Sequence, residues 1–257
     1  DEFEDKISEF VGSRYAVAVS SCTAGLHLSA IVSGLNNKKK FLTSPISFVS
    51  TANAGIYLNS KPIFADINNN TLNISNEAAL LESKKNRIHT IIPVHFAGYP
   101  ADMKYISNNF KNKSIIIEDA AHALGAKYSD GSMVGSCKYS DMCVFSFHPV
   151  KLIASGEGGI VTTNDKSIYK ELLKLRSHGI NKLDETLVNK NLAYDKNNEQ
   201  NIWYYEMQKL GYHYRLTDIQ SSLAISQLKK IKKFLNKRLL LSNRYVKLLK
   251  KFKNCQP

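Results

Sequence analysis

The feature that most constrains the fold is a regular alternation of strand-like and helix-like runs between Tyr15 and Asn164. Apolar and β-branched runs predict strands at 15–21, 40–45, 61–68, 87–96, 113–120, 142–148 and 158–164. Helical periodicity predicts helices over 23–35, 47–59 and 101–110. Because strands alternate with helices, we expect an α/β fold with a mostly parallel sheet flanked by helices.

The rest of the chain divides into two parts. Residues 180–210 are polar and aperiodic at first, which predicts a long excursion that could be mobile. The run "LTDIQSSLAISQLKKIKKFL" then predicts one amphipathic helix, which Thr217 or Asp218 could cap. Its apolar residues recur at helical spacing: Leu216, Ile219, Leu223, Leu228, Ile231 and Leu235.

The charge of the chain is strongly basic. Lysine and arginine outnumber aspartate and glutamate by 35 to 22, which gives a formal net charge of +13. The excess concentrates in "LKKIKKFLNKRLLLSNRYVKLLKKFK", where apolar residues at helical spacing indicate that the lysines form the solvated face of a helix. No basic motif interleaved with aromatic residues is present, so we expect no nucleic-acid partner.

Neither a membrane segment nor a metal site is indicated. No apolar run approaches the ~20 residues needed to cross a bilayer, and the acidic start "DEFEDKISEF" is unlike a signal peptide. We therefore expect a cytoplasmic protein without a membrane partner. The cysteines, Cys22, Cys137, Cys143 and Cys255, form no CxxC pair and do not cluster with histidines, which favours reduced thiols and no metal.

Three polar clusters follow predicted strands: 20–23, 118–122 and 146–151. In open α/β sheets ligands bind beyond the carboxyl ends of the strands, so we expect these clusters to converge on one site. Lys151 is the most informative residue, since it sits among aromatic, apolar and glycine residues in "VFSFHPVKLIASGEGGIVTTND". A desolvated lysine is nucleophilic, and the glycines of "SGEGG" would keep side chains away from it. The alternative is a lysine that snorkels to solvent from a strand end.

The other two clusters carry acidic and hydroxyl groups. Glu118 and Asp119 point to opposite faces if the strand continues, so one of them can enter the site. A helical turn could bring His122 to Asp119, or the carboxylate could simply cap a following helix. The turn "SSCTAGL" offers backbone N–H groups and hydroxyls to a phosphate, although it could also be only a helix cap. It matches neither the P-loop nor the GxGxxG pattern.

One cofactor would use all three clusters. Pyridoxal 5'-phosphate (PLP) needs a lysine for its aldehyde, a carboxylate for its ring nitrogen, a phosphate cradle and an aromatic face against its ring. Phe48, in "SPISFVST", follows another strand and could supply that face.

The motifs together resemble the DegT/DnrJ/EryC1/StrS aminotransferase family, whose members are fold-type I PLP enzymes. The resemblance covers essentially the whole chain and rests on "SSCTAGLHLSA", "SFVSTANA", "PVHFAGYPADM", "IIEDAAHALGA", "SFHPVKLIASGEGG", "LRSHGI" and "GYHYRLTDIQSSLAISQL". "SFHPVK" and "YYEMQKLGYHYRLTDIQ" resemble most the members that aminate C4 of a UDP-linked 4-keto-6-deoxy-N-acetylhexosamine in pseudaminic acid-type biosynthesis. The resemblance implies glutamate as the amino donor and a homodimer with shared active sites.

The resemblance implies a role for each matching residue. Lys151 would bond to the cofactor and later move a proton, Asp119 would pair with the ring nitrogen, and His122 would lie near the phenolic oxygen. Phe48 would stack on the ring. The phosphate would be held by Thr23, Ala24 and Ser146.

The resemblance also implies roles for residues 213 and 215, and the sequence departs from the family pattern at residue 213. The family motif "GYNYR" has an Asn that reaches the partner's cofactor phosphate across the dimer interface, and here that position is His213. A histidine can still donate to phosphate, but it is bulkier and titrates near neutrality, which puts cofactor affinity or its pH dependence in question. Arg215 would contact an anionic group of the substrate.

The resemblance also implies how the chain is divided. Residues 1–225 would form the PLP-binding large domain, and 226–257 would form a linking helix and the start of a truncated small domain. The chain begins inside a helix-like pattern and ends after a long amphipathic segment, which suggests a fragment. The 180–210 excursion is a second departure, next to the expected site of sugar-nucleotide specificity.

Four alternatives stay open at this stage. The substrate could be another nucleotide ketosugar or a cyclitol ketone, or the chain could be a PLP-binding regulatory homologue without turnover. A cysteine desulfurase of the same fold type fits less well, because its histidine directly precedes the lysine and here His148 and Lys151 are three residues apart. An electrostatic nucleic-acid binder is the most distant alternative.

Overall fold

A computed structural model describes residues 1–181 and 187–252 of the chain. The strands are β1 (Tyr15–Val19), β2 (Lys40–Thr43), β3 (Lys61–Phe64), β4 (Ile88–Ile91), β5 (Ile115–Asp119), β6 (Met142–Ser146), β7 (Gly159–Thr163), β8 (Ile180–Asn181) and β9 (Glu206–Met207). The α-helices are α1 (Glu2–Val11), α2 (Cys22–Val32), α3 (Val49–Ile56), α4 (Asn76–Lys85), α5 (Met103–Phe110), α6 (Lys166–Arg176), α7 (Lys190–Ala193), α8 (Asp218–Leu228) and α9 (Ile231–Leu249).

Seven strands form one sheet in the order β1-β7-β6-β5-β4-β2-β3. Strand β7 runs antiparallel to both of its neighbours, β1 and β6, and the other pairs are parallel. One core packs α1, α4, α5 and α8 against a face of the sheet, and a second core packs α2, α3 and α6 against the other. The predicted α/β fold with a mostly parallel sheet is confirmed.

The predicted strands are all present, with narrower bounds. The largest difference is β4, which ends at Ile91 rather than near residue 96, because Pro93 interrupts the run and a 3-10 turn follows at Phe96–Gly98. Three helices of the described residues were not predicted: α4, α6 and the short α7. Helix α6 begins at a local signal, since the Asp165 side chain accepts hydrogen bonds from the backbone N–H groups of Ser167 and Ile168.

The C-terminal helical region differs from its prediction in two ways. The single predicted helix is two helices, α8 and α9, which are separated at Lys229 and Lys230. Thr217 caps α8 as predicted, in a capping box with Gln220. The predicted apolar face is not all packed in this chain, because Ile219 is 84% exposed while Ile231 is buried.

The 180–210 excursion contains some regular structure. Strands β8 and β9 pair with each other, and α7 lies between them in sequence. The part of the excursion from 182 to 186 lies outside the described residues, as does Cys255. Cys22, Cys137 and Cys143 are free thiols, as predicted, and the structure buries all three. Within 1–181 and 187–252, no helix is long and apolar enough to cross a membrane.

Gly55 allows helix α3 to pack closely against the sheet. A Cβ at Gly55 would lie 2.3 to 2.7 Å from ring atoms of Phe41, which is fully buried in β2. Gly55 therefore allows α3 to lie against β2, and this contact sets the position of the residues at the start of α3.

We expect Gly55→Ala to destabilise the protein. Alanine normally stabilises a helix relative to glycine by roughly 0.5–1 kcal/mol, but overpacking against Phe41 costs about 1–3 kcal/mol. The free energy of unfolding, measured by chemical denaturation, should therefore fall.

Phe41→Leu provides the control for this prediction. The leucine is smaller, so it should cost less free energy of unfolding in the Gly55→Ala background than in the wild type. Equal costs in both backgrounds would contradict the proposed clash.

Candidate active site

A cavity of about 590 Å³ opens at the carboxyl ends of β1, β2, β4, β5 and β6. Residues of all three predicted clusters line it, so the expectation that they converge is confirmed. The lining residues that matter for the argument are Cys22, Thr23, Phe48, Asp119, His122, Ser146 and Lys151.

Lys151 and His122 form a close pair in this cavity. The Lys151 Nζ lies 2.5 Å from the His122 Nε2. The pKa of His122 is lowered, first by burial and then by the Lys151 cation. The Asp119 charge opposes this shift, and Arg238 on α9 adds a smaller lowering. A neutral imidazole therefore accepts a hydrogen bond from the lysine amine at Nε2.

The environment of Lys151 differs from its prediction. The side chain is half-buried rather than buried, because the turn that carries it stands at the cavity mouth. The nearby glycines also serve another purpose than the predicted one. A Cβ at Gly156 would meet open space, and a Cβ at Gly158 would meet Ser155 and Leu216.

Gly159 sets the position of the turn after β1. A Cβ at this residue would lie 2.5 Å from the carbonyl carbon of Ser21 and 2.6 Å from the backbone nitrogen of Cys22. The first residue of β7 must therefore be glycine for the turn to pass this close. Of these glycines, Gly159 is the one that the predicted phosphate turn requires.

The turn itself starts helix α2. Ser21 is the N-cap, and its hydroxyl accepts a hydrogen bond from the Ala24 N–H at 3.1 Å. Thr23 lines the cavity, whereas Ala24 does not, so both the cap and the cavity wall are built from this turn. Ser146, at the end of β6, lines the same cavity, and β7 separates its strand from β1 in the sheet.

Glu118 and Asp119 lie on opposite faces of the sheet, as predicted. Asp119 lines the cavity and is 4% exposed. Its Oδ2 accepts a hydrogen bond from the Thr51 hydroxyl at 2.6 Å, and its Oδ1 accepts one from the Ala121 N–H at 3.2 Å. A turn rather than a helix follows Asp119, so neither the predicted helical turn to His122 nor the helix cap is present.

Glu118 is held in a separate network behind the cavity. It accepts hydrogen bonds from His95 Nε2 at 2.7 Å, from the Tyr128 hydroxyl at 2.5 Å and from Ser140. Burial and the Glu118 charge raise the pKa of Tyr128, so its hydroxyl keeps its proton. Glu118 is therefore a structural anion, which leaves Asp119 as the carboxylate available to a ligand.

Phe48 forms the outer wall of the cavity. It precedes α3 as the N-cap residue, and its side chain is 74% exposed. An exposed aromatic ring at a cavity mouth suits a stacking role.

His213 and Arg215 do not line this cavity. Both are exposed, and the His213 ring stacks on that of His178 at a centroid distance of 5.3 Å. Between them, Tyr214 joins this segment to α2 through a 3.2 Å hydrogen bond with His27 Nδ1. Their predicted roles, which involve a second copy of the chain or a substrate, stay predictions.

The sequence analysis missed two residues of the site: Cys22, which lines the cavity, and Thr51, which is not among the lining residues but contacts Asp119. Thr51 lies on α3, far along the chain from Asp119, and no local pattern connects them. Cys22 lies in the predicted turn but was considered only as a thiol. Burial and then the Asp119 charge raise the pKa of Cys22 well above its ordinary value, so it is a neutral wall residue.

The profile of the DegT/DnrJ/EryC1/StrS aminotransferase family matches residues 1–257. The chain is 39% identical over 230 residues to the uncharacterized protein MJ1066 of Methanocaldococcus jannaschii, covering 89% of this chain and 56% of that protein. It is 39% identical over 251 residues to the UDP-4-amino-4,6-dideoxy-N-acetyl-β-L-altrosamine transaminase of Campylobacter jejuni, covering 96% of this chain and 61% of that enzyme.

A third relative has a different named substrate. The UDP-4-amino-4-deoxy-L-arabinose–oxoglutarate aminotransferase of Shewanella sediminis is 35% identical over 250 residues, covering 96% of this chain and 61% of that enzyme. The chain thus spans about three fifths of the length of the curated relatives it matches.

Solved structures resemble the fold closely. PseC from Helicobacter pylori, an aminotransferase involved in the biosynthesis of pseudoaminic acid, superposes with a TM-score of 0.83 at 30% identity, covering 99% of this chain and 62% of that one. The putative sugar aminotransferase Spr1654 from Streptococcus pneumoniae, in its PMP form, superposes with a TM-score of 0.83 at 25% identity, covering 96% and 64%.

We expect Lys151→Ala to raise the pKa of His122. The lysine cation opposes a second positive charge nearby and donates to the neutral ring, so its removal should move the His122 titration toward its ordinary, higher pH. Two-dimensional NMR of the histidine side chains in cofactor-free protein measures this titration.

Lys127→Ala is the control, because Lys127 does not line the cavity and is not among the charges that shift the pKa of His122, so the titration should stay in place. A His122 titration that is the same in wild type and Lys151→Ala would contradict the pairing.

Proposed function

The chain belongs to the DegT/DnrJ/EryC1/StrS aminotransferase family, and from this premise we propose that it is part of a PLP-dependent sugar-nucleotide aminotransferase. The reaction would transfer an amino group from glutamate to C4 of a UDP-linked 4-keto-6-deoxy-N-acetylhexosamine. The observation that carries the proposal is the presence of the Lys151 amine and the Asp119 carboxylate in one cavity beside the turn at 21–23. The named activity of the C. jejuni relative supports the choice of substrate.

The chemistry of the cavity residues fits PLP. Lys151 offers an amine, Asp119 an anion that is buried to 4% exposure, and Phe48 an exposed ring. Hydroxyl groups of Thr23 and Ser146 come from the turn after β1 and from the end of β6. The cavity volume of about 590 Å³ is typical of small-molecule and cofactor sites.

Each residue would contribute a distinct function to amino transfer. When bound, PLP supplies an aldehyde that carries the amino group and a ring that withdraws electrons from the reacting carbon. Lys151 would hold the aldehyde and, once released, move a proton at Nζ. Neutral His122 orients that amine through Nε2, and Asp119 provides a fixed negative charge for the ring nitrogen.

The proposal extends to a homodimer with shared active sites. His213 and Arg215 are exposed on this chain and do not line its own cavity, which is compatible with the proposed contacts to the partner's cofactor phosphate and to an anionic substrate group. We divide the chain into a PLP-binding large domain, 1–225, and a linking helix with the start of a small domain, 226–257. Helix α9, which is exposed along most of its length, would provide that link.

A second candidate is the amination of another nucleotide ketosugar. The similar identity to the S. sediminis relative, 35% against 39% for the C. jejuni enzyme, favours keeping it. Both candidates share the cavity chemistry and differ only in the sugar.

We expect Lys151→Ala to abolish the borohydride-reducible absorption band of the PLP-loaded protein and to slow amino transfer by at least about 100-fold. The amine that holds the aldehyde and moves the proton is absent in this variant. Lys127→Ala, a lysine outside the cavity, should keep both the band and the rate. Retention of a reducible band in Lys151→Ala would refute the assignment of the lysine.

We expect glutamate alone to convert PLP bound to the wild type into the pyridoxamine form, and the product to aminate a UDP-linked 4-ketosugar. Absorption spectra follow the first step, and a panel of nucleotide ketosugars tests the second. Turnover only with a different ketosugar would favour the second candidate. Intact PLP binding without any response to glutamate would indicate a regulatory homologue without turnover.

A further inference from the structure

We propose that Thr51 is a positioning residue, whose hydroxyl holds Asp119 as an oriented anion for the ring nitrogen of PLP. The inference rests on the proposed function, because it assigns Asp119 to that nitrogen. It concerns a residue on α3, which is remote in sequence from the strand end that carries Asp119.

The geometry identifies the donor and the acceptor. The Thr51 Oγ1 lies 2.6 Å from the Asp119 Oδ2, and Thr51 is fully buried. Distances of about 2.5–2.7 Å are typical of a hydroxyl that donates to an anionic oxygen. The hydrogen bond therefore fixes the rotation of the Asp119 carboxylate about its side chain.

The single hydroxyl proton of Thr51 has two acceptors within reach. The Phe48 carbonyl lies 3.0 Å from Oγ1 and the Asp119 Oδ2 lies 2.6 Å from it, so the shorter hydrogen bond is the one to the carboxylate. Thr51 thus links Phe48, which forms the outer wall of the cavity, with the Asp119 carboxylate that lines it. The missing side chain at Gly55 lets the helix that carries Thr51 lie against Phe41.

Asp119 can accept further hydrogen bonds, and its surroundings favour a cationic ligand group. In the described part of the chain, no lysine or arginine forms an ion pair with Asp119, although the carboxylate is 4% exposed. A buried anion without a cation is costly, and two hydrogen bonds from Thr51 and Ala121 satisfy it only in part. A protonated ring nitrogen at the cavity side would complete its partners.

The test compares two cofactors and three variants. Thr51→Val removes the hydroxyl while nearly preserving the shape of the side chain, and Thr51→Ser retains the hydroxyl. Thr90→Val is the control, because it removes another fully buried hydroxyl that does not line the cavity. That hydroxyl donates a 3.2 Å hydrogen bond to Ser33 Oγ. The probes are PLP and 1-deaza-PLP, in which carbon replaces the ring nitrogen. Dissociation constants come from spectroscopic titration of the cofactor-free protein, and thermal unfolding checks that each variant is folded.

We expect Thr51→Val to weaken PLP binding by about tenfold, which is a common effect of removing a residue that holds a ligand-binding group in place. Thr51→Ser and Thr90→Val should stay within about twofold of the wild type, because the hydroxyl that holds Asp119 is intact in both. For 1-deaza-PLP, Thr51→Val should bind as the wild type does, since this probe offers no ring nitrogen to Asp119.

Three outcomes would overturn the inference. A wild type that binds PLP, together with a Thr51→Val variant that binds it equally well, would exclude a role for the hydroxyl. An equal loss for both probes would assign Thr51 to the shape of the cavity only. A wild type that does not bind PLP would overturn the proposed function first. If Thr51→Val does not fold, Thr51→Ala takes its place in the same comparison.

Discussion

The structure depends on the burial of two adjacent carboxylates at the end of β5. A charged group that leaves water needs hydrogen-bond partners or counter-charges, or the fold loses several kcal/mol. Strand geometry sends Glu118 and Asp119 to opposite faces, so each layer of the protein must supply its own partners. His95, Tyr128 and Ser140 do so on one side, and Thr51 and the Ala121 N–H do so on the other. One strand end thereby organises both layers.

The two carboxylates differ in what they leave available. His95 donates to Glu118 from Nε2 and accepts the Ala101 N–H at Nδ1 at 3.1 Å, which fixes a neutral tautomer beside the anion. Glu118 thus has three donors and no solvent contact. Asp119 has two donors and faces the cavity. The carboxylate with fewer hydrogen-bond donors from the protein, Asp119, is therefore the one available to a ligand. Residue type and position in the sequence do not determine which of the two carboxylates this is.

The sequence allowed the fold to be predicted well, because strands and strand-end clusters are local patterns. Residues 20–23, 118–122 and 146–151 converge as expected, since parallel strands bring their carboxyl ends to one edge. Thr51 could not be found in this way, because its contact with Asp119 spans 68 residues and depends on how α3 packs. The half-burial of Lys151 also depends on packing, since apolar neighbours in sequence do not decide which side of a turn faces water. The break between α8 and α9 interrupts a continuous apolar periodicity and so left no sign in the pattern.

Gly159 constrains how a chain of this fold can vary. A side chain there would collide with the backbone of Ser21 and Cys22, and backbone atoms cannot be moved aside by a rotamer change. No compensating substitution at 21 or 22 can relieve the collision, because the colliding atoms are common to all amino acids. Glycine at this position is therefore required by the fold, whatever reaction the protein catalyses. Its presence in another chain would report the shape of the turn and carry no information about which sugar that chain recognises.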